Sequence, residues 1–291
     1  MKRFLWPFVT LLAACAAPPP SQPLPVRFEP DPPPPAQIVV EEAPTPPQPA
    51  TGWHRAGESR VRPLTGGSAW LHEFSAAHDS GARADLQVVI FDIGQNRVRV
   101  VDQPDSWAGG GSIDDTLRAA GAVAGVNGGF FSPDFAPLGL MIAQGRRTGV
   151  WQSNKLLTGA LVVANGTPRL VWNAEGRRDA SSSDFLQAGP RLVDAGRPMA
   201  SLDRVKNAAR TFIAASSGHL WAIGVVKNAS LFDLGSLLAA PELIPGFRVQ
   251  RALNLDGGRS SAIYARLGDG TEISDPGWST VRNYIGIVPV R

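Results

Sequence analysis

The chain has 291 residues, a single cysteine and a formal net charge of +3. A lone cysteine forms no internal disulfide, and the scattered arginines, with small clusters at Arg146-Arg147 and Arg177-Arg178, make no basic stripe, which argues against nucleic acid as a partner. The four histidines (His54, His72, His78, His219) show no metal-ligand spacing, and the modest positive balance suits an anionic substrate.

Met1-Lys2-Arg3 is a basic start, residues 4–12 form a short apolar core, and Leu12-Ala13-Ala14-Cys15 ends it. That segment is too short for a membrane helix and reads as a secretory signal over residues 1–15. Its ending resembles a bacterial lipobox, which makes Cys15 the expected lipidation site and the cell envelope the expected location. Triacylation supplies the multiple chains that stable anchoring needs. Ala16 in place of Asp after the cysteine is expected to permit sorting to the outer membrane in a Gram-negative host. Residues 16–51 carry fourteen of the 26 prolines. Proline favours extended polyproline II, so this stretch reads as a tether holding a domain off a membrane. Residues 52–291 are long enough for one well-buried domain, and no later apolar run approaches the length that spans a bilayer.

Residues 86–93 and 98–101, rich in valine and isoleucine around Gly94-Gln95-Asn96, predict a β-hairpin. Gly109-Gly110-Gly111 reads as a flexible joint. Ser112 predicts an N-cap, with Asp114 and Asp115 in the first turn of a short helix that ends near Gly121. Residues 122–126 lead as a strand into Asn127. Asn165-Gly166 predicts a tight turn between strands at 161–164 and 169–172. A further hairpin is expected over 211–215 and 219–226, a helix capped by Ser230 over 231–240, and strands at 252–255, 262–265 and 284–288. Strands with two or three helices predict an α+β fold: a single domain on mixed or antiparallel sheet with a few flanking helices.

Two stretches share one pattern. Val126-Asn127-Gly128-Gly129-Phe130-Phe131 and Asn254-Leu255-Asp256-Gly257-Gly258-Arg259-Ser260-Ser261 each lead an apolar run into a polar residue and two glycines. Paired glycines let a chain turn sharply and let a ligand approach the backbone, and the turn's N–H groups with the serine hydroxyls could bind an anion. On the residues alone, Asp256 is equally a carboxylate that caps its own turn, and Asn127 a positive-φ turn residue.

With Gln187-Ala188-Gly189-Pro190-Arg191-Leu192 and Ala209-Arg210-Thr211, these blocks resemble the phosphodiester glycosidase family in content and order. These are the enzymes related to the mammalian uncovering enzyme, which removes N-acetylglucosamine from a phosphodiester. The resemblance covers residues 85–291. It implies a hydrolase that releases a sugar from a sugar-1-phosphodiester of envelope glycans or exopolysaccharide. It makes Asp256 the leading catalytic carboxylate and Arg210 the phosphate clamp, whose planar guanidinium can take two phosphate oxygens. Asn127, Gly128, Gly129, Gln187, Arg191, Gly257, Gly258, Ser260 and Ser261 become expected substrate-binding residues. Phe130 and Phe131 read as core for at least one of the two. The family often has a third glycine where this chain has Arg259.

A phosphate already leaves well, so neutralising it matters more than a strong general acid. Asp134, Asp275 and Glu242 are candidates for a second carboxylate. No cofactor or metal is implied, although a carboxylate with main-chain oxygens at Asp256 would also suit calcium or magnesium. His78-Asp79-Ser80 contains triad residue types, but adjacency does not give triad geometry. The competing function is a non-catalytic lipoprotein that binds glycan or phosphate.

Overall fold

The structure, a computed structural model, describes residues 52–175 and 181–290. The signal segment with Cys15, the proline-rich tether and Arg177-Arg178 lie outside these residues.

In chain order, the first strands are β1 (Trp53–Pro63), β2 (Ala69–His78), β3 (Arg83–Asp92) and β4 (Asn96–Asp102). Helix α1 (Ile113–Ala119) precedes β5 (Ala124–Asn127), β6 (Met141–Ala143), β7 (Arg146–Thr148), β8 (Gly159–Ala164), β9 (Thr167–Trp172), β10 (Asp184–Ala188), β11 (Arg191–Asp194) and β12 (Arg197–Pro198). Then come β13 (Ala208–Ala215), β14 (Leu220–Ala229), α2 (Leu231–Ala239), β15 (Arg251–Asn254), β16 (Ile263–Arg266), β17 (Glu272–Asp275) and β18 (Asn283–Pro289). The described residues fall in one compact unit, and none of their helices is long and apolar enough to cross a membrane.

Three sheets result, in the orders β1-β2-β3-β14-β13-β15-β11-β12, β7-β6-β10-β8-β9 and β17-β16-β5-β18-β4. Every pairing of named strands is antiparallel, and only two α-helices are present among the described residues, so the fold is more β-rich than the expected α+β class. The helix over 113–119 and its Ser112 cap sit as expected, with Ser112 Oγ accepting from Asp115 N. So does α2, where Ser230 and Asp233 form a reciprocal capping box. The β8–β9 and β13–β14 hairpins also match.

The expected hairpin over 86–101 does not form. β3 pairs with β2 and β14, while β4 pairs with β18 in another sheet. Asn96 is fully buried at the corner, where Nδ2 donates to Asp92 O (2.9 Å) and Ser68 O (3.1 Å) and carries the chain between sheets. The glycines 109–111 are packed rather than loose: a Cβ on Gly110 would meet Thr280 Cγ2 at 2.5 Å, and one on Gly111 would meet Thr116 Oγ1 at 2.9 Å.

Alternation along β13 explains how the layers share a strand. Ile213 and Ala215 point into the main core with Phe91, Val126, Leu161, Leu186 and Leu253, to which all three sheets contribute. Phe212 and Ala214 point the other way, onto Leu234, Leu237 and Leu238 of α2. The central strand is therefore buried on both faces, and its ends are fixed by packing on either side.

Candidate active site

The ends of β5, β13 and β15 converge. Leu255 N donates to Thr211 O (2.9 Å), and Asp256 N donates to Gly128 O (2.9 Å). The two Gly-Gly turns are thus joined backbone to backbone, although one leaves the third sheet and the other the first.

Asn127 fastens the junction. Its Nδ2 donates to Asp256 O (2.8 Å), and its Oδ1 accepts from Thr211 Oγ1 (2.7 Å) and Ala262 N (3.0 Å). Thr211 Oγ1 also lies 3.1 Å from Ser261 Oγ. Asn127 and Thr211 are wholly buried, so this amide is used up inside the protein and holds the Asp256 loop in place. Nor does Asn127 take positive φ. Asn283 does the same work one strand over, accepting from Gly129 N (2.8 Å) through Oδ1. Gly128 has no room for a side chain, since a Cβ there would stand 1.9 Å from Asn283 Oδ1.

Asp256 itself is only half-buried. Its Oδ1 accepts from Gly257 N (2.9 Å). Burial pushes its carboxyl above the usual aspartate value, opposed by hydrogen bonds from Ser260 and the Gly257 N–H. Gly258 adopts φ +65, the left-handed conformation that favours glycine, with nothing within 4 Å of a would-be Cβ. Ser260 and Ser261 are buried and serve this loop and the Thr211 network.

Arg210 lies beside the turn. A Cβ on Gly257 would be 3.8 Å from Arg210 Cδ and 3.9 Å from Arg210 Cα. Its guanidinium donates to Ala229 O (3.0 Å, from Nε) and to Lys206 O. Burial pulls it below the usual arginine value, while the charge of Asp203 acts to raise it. Among the described residues no carboxylate stands within ion-pair distance of Arg210. Acid and cation are neighbours along the backbone with their charges not joined.

Other expected residues fall further out. Gln187 is buried behind Gly129, with Nε2 donating to Gln152 O (2.6 Å) and Oε1 accepting from Gln152 N (3.0 Å) and Leu140 N (3.3 Å). It pins a loop and is part of the wall. Arg191 is half-buried in the next strand, with its guanidinium over Trp172 at 5.5 Å. It lines a cleft of about 680 Å³ with Lys155, Leu156, Thr158, Leu202 and Asp203. Asn254 Nδ2, donating to Gly189 O (2.8 Å), ties this cleft to β15.

None of the second-carboxylate candidates forms an ion pair with Arg210 among the described residues. Asp134 is exposed and held by Ser132, Asp275 pairs with Lys227 at 3.2 Å, and Glu242 is exposed at φ +58. His78 Nδ1 meets Ser80 Oγ (2.9 Å) on a local turn while Asp79 faces His54 (3.5 Å), so these residues build no triad. Phe131 packs against Trp107 and Phe135. Among the described residues no group of three or more His, Cys, Asp or Glu side chains is placed to hold a metal ion.

Sequence reasoning missed Thr211, Asn254 and Asn283 as site-building residues. Their signal is the one that exposed Asn127 and Asp256: a polar residue where an apolar strand begins or ends.

The profile of the phosphodiester glycosidase family matches residues 120–288. Among solved structures, the zebrafish N-acetylglucosamine-1-phosphodiester alpha-N-acetylglucosaminidase catalytic domain, auto-inhibited by its pro-peptide, is similar at TM-score 0.56 and 14% identity, over 81% of this chain and 88% of that one. A hypothetical protein from Synechocystis is similar at TM-score 0.55 and 16% identity, over 81% of this chain and 64% of that one. At such identities the likeness is one of fold. No curated protein matches the chain in sequence. The chain belongs to the phosphodiester glycosidase family, which supports hydrolase chemistry of this kind.

Proposed function

We propose that this family member is a hydrolase that cleaves the glycosidic bond of a sugar-1-phosphodiester, with N-acetylglucosamine as the first sugar to test. The observation that carries the reading is the pairing at the junction. A half-buried carboxyl with a raised tendency to hold its proton stands beside an arginine that, among the described residues, has no carboxylate within ion-pair distance. A sugar phosphodiester needs both, a carboxyl near the anomeric carbon and a cation near the phosphate.

In this reading the bond from C1 to the phosphate oxygen breaks and its electron pair leaves with the phosphate. Arg210 offsets the charge that develops there. Asp256 gives its proton to the departing oxygen. Water adds to C1, and the proton it releases restores Asp256 by way of solvent. The products are a free sugar and a phosphomonoester. The serines and glycines after Asp256 let the phosphate approach the turn, and Lys155 and Arg191 suit an anionic aglycone in the neighbouring cleft. Lipidation at Cys15 and a proline-rich tether would hold the domain at an envelope surface, where polymers with such linkages occur.

The test compares wild type and Asp256→Asn on UDP-N-acetylglucosamine and p-nitrophenyl sugar phosphodiesters. Sugar release is expected from wild type and is expected to fall about 10³-fold in the variant, within the range for a lost proton donor. The second reading is a glycan- or phosphate-binding module. It is favoured by one feature: among the described residues the hydrogen bonds to the Asp256 carboxyl come from Ser260 and the Gly257 N–H, and none joins it to a second carboxyl. Saturable binding without release across a panel of sugars would establish it.

A further inference from the structure

The loop after β17 carries a tryptophan that the fold leaves uncovered. Trp278 is 83% exposed, against 44% for Trp107 and 37% for Trp70. Trp107 is engaged: its Nε1 donates to Pro133 O (2.9 Å) and its ring meets Phe131 and Phe135. Trp278 has no ring partner and no side-chain hydrogen bond among the described residues.

Its backbone is nonetheless braced. Trp278 N donates to Arg259 O (2.7 Å). Gly277, at φ +73, sits so close to the Asp256 turn that a Cβ would lie 2.8 Å from Ser261 O and 3.0 Å from Arg259 O. Thr280 closes the loop against Gly110. The indole thus stands on a fixed support beside the Asp256 turn, with its ring faces free to meet a ligand. Beside it is a shallow depression lined by Ala208, Ala209, Gly258, Arg259 and Trp278. Ala209 immediately precedes Arg210, and Gly258 follows Asp256 by two residues. The depression has an aromatic wall, a floor of small side chains and one guanidinium, next to the acid and the cation.

We propose that Trp278 is a sugar platform and Arg259 its polar partner: the C–H face of a pyranose stacks on the indole, which sets C1 toward Asp256. A pyranose has one apolar face and a rim of hydroxyls. A rigid aromatic plane matches the face at low entropic cost, and the guanidinium serves the rim. Arg259, where the family often has glycine, then contributes to sugar recognition. The proposal rests on the hydrolase reading for its substrate class, and the two fail separately.

The test uses the full-length protein as wild type, Trp278→Ala and Trp278→Phe. Calorimetry reads binding of N-acetylglucosamine, glucose and galactose 1-phosphates and of inorganic phosphate, and kinetics read KM and kcat on p-nitrophenyl sugar phosphodiesters. Trp278→Ala is expected to weaken sugar-phosphate binding about tenfold, the equivalent of ~1.4 kcal/mol. Trp278→Phe should weaken it less. Inorganic phosphate binding and the melting temperature should stay unchanged, and KM should rise more than kcat falls. Unaltered sugar-phosphate affinity in Trp278→Ala overturns the platform, as does a wild type that binds none of the three sugars. Wild type without hydrolysis, but with affinity that Trp278→Ala still reduces, overturns the hydrolase reading and leaves the platform standing.

Discussion

The two Gly-Gly turns share one sequence pattern and do different jobs. Asn127-Gly128-Gly129 is buried throughout, its amide consumed by three internal hydrogen bonds and its first glycine required by Asn283. Asp256-Gly257-Gly258 is half-buried, its second glycine needed for a left-handed backbone with open space around it. One turn is a socket and the other is what the socket holds. The difference lies in where each polar side chain ends up. An amide can satisfy itself on both ends in a dry interior, whereas a carboxylate only accepts and resists full burial.

Four substitutions test that division. Gly128→Ala should do the most harm: the new Cβ meets Asn283 Oδ1 at 1.9 Å and Asn283 O at 3.1 Å. We expect a loss of about 3 kcal/mol, read from the denaturation midpoint, or failure to fold. Asn127→Ala leaves the Thr211 hydroxyl, the Ala262 N–H and the Asp256 carbonyl without their partner, at a cost of about 2 kcal/mol. Activity should fall along with stability. A loss of activity at full stability would instead place Asn127 on the substrate. Gly258→Ala strains φ but meets no atoms, so a loss of about 1 kcal/mol is expected in thermal melts.

Asp256→Asn should have the smallest effect on stability, and of opposite sign. Burial raises the folded-state carboxyl above its unfolded value. Its favourable contribution is therefore complete below the ordinary aspartate value of about 3.9 and is lost as pH rises through the raised folded value. The neutral variant escapes that loss. Its melting temperature should match wild type in acid and exceed it by about 2 °C at neutral pH. A variant that is less stable at every pH would make Asp256 a structural residue, as Asn127 is.

The strands themselves were legible where valine and isoleucine runs meet turn residues, and both helices were legible from Ser112 and Ser230. Pairing was less so. β3 buries Val88, Val89, Ile90 and Phe91 in succession, a run that marks a strand covered on both faces and names no partner. Gly94-Gln95-Asn96 reads as a hairpin turn because the burial of Asn96 is a tertiary fact. β1 was missed because most of its side chains face solvent, and β6, β7 and β12 because they have only two or three residues each. At the junction, Asp256 and Arg210 were named through the family resemblance, and the fold places Arg210 beside the Gly257 turn. Gln187 could be placed near the cleft, but whether its amide faces the cleft or the wall depends on Gln152, 35 residues away. Trp278 gave no signal, since exposure leaves no trace in a single sequence.

The bonds that draw the junction together also set a timetable. Asn127 waits for Asp256, 129 residues later, and Gly129 waits for Asn283, 154 residues later. Contacts of such long range close slowly, after local hairpins have formed. During synthesis, then, the junction is among the last things to exist. A chain cut short before β18 would carry the acid, the cation and both turns and still lack the geometry that brings them to bear. The junction is complete only when the final strand of the described fold is in place, because Gly128 N and Gly129 N both find their acceptors on Asn283.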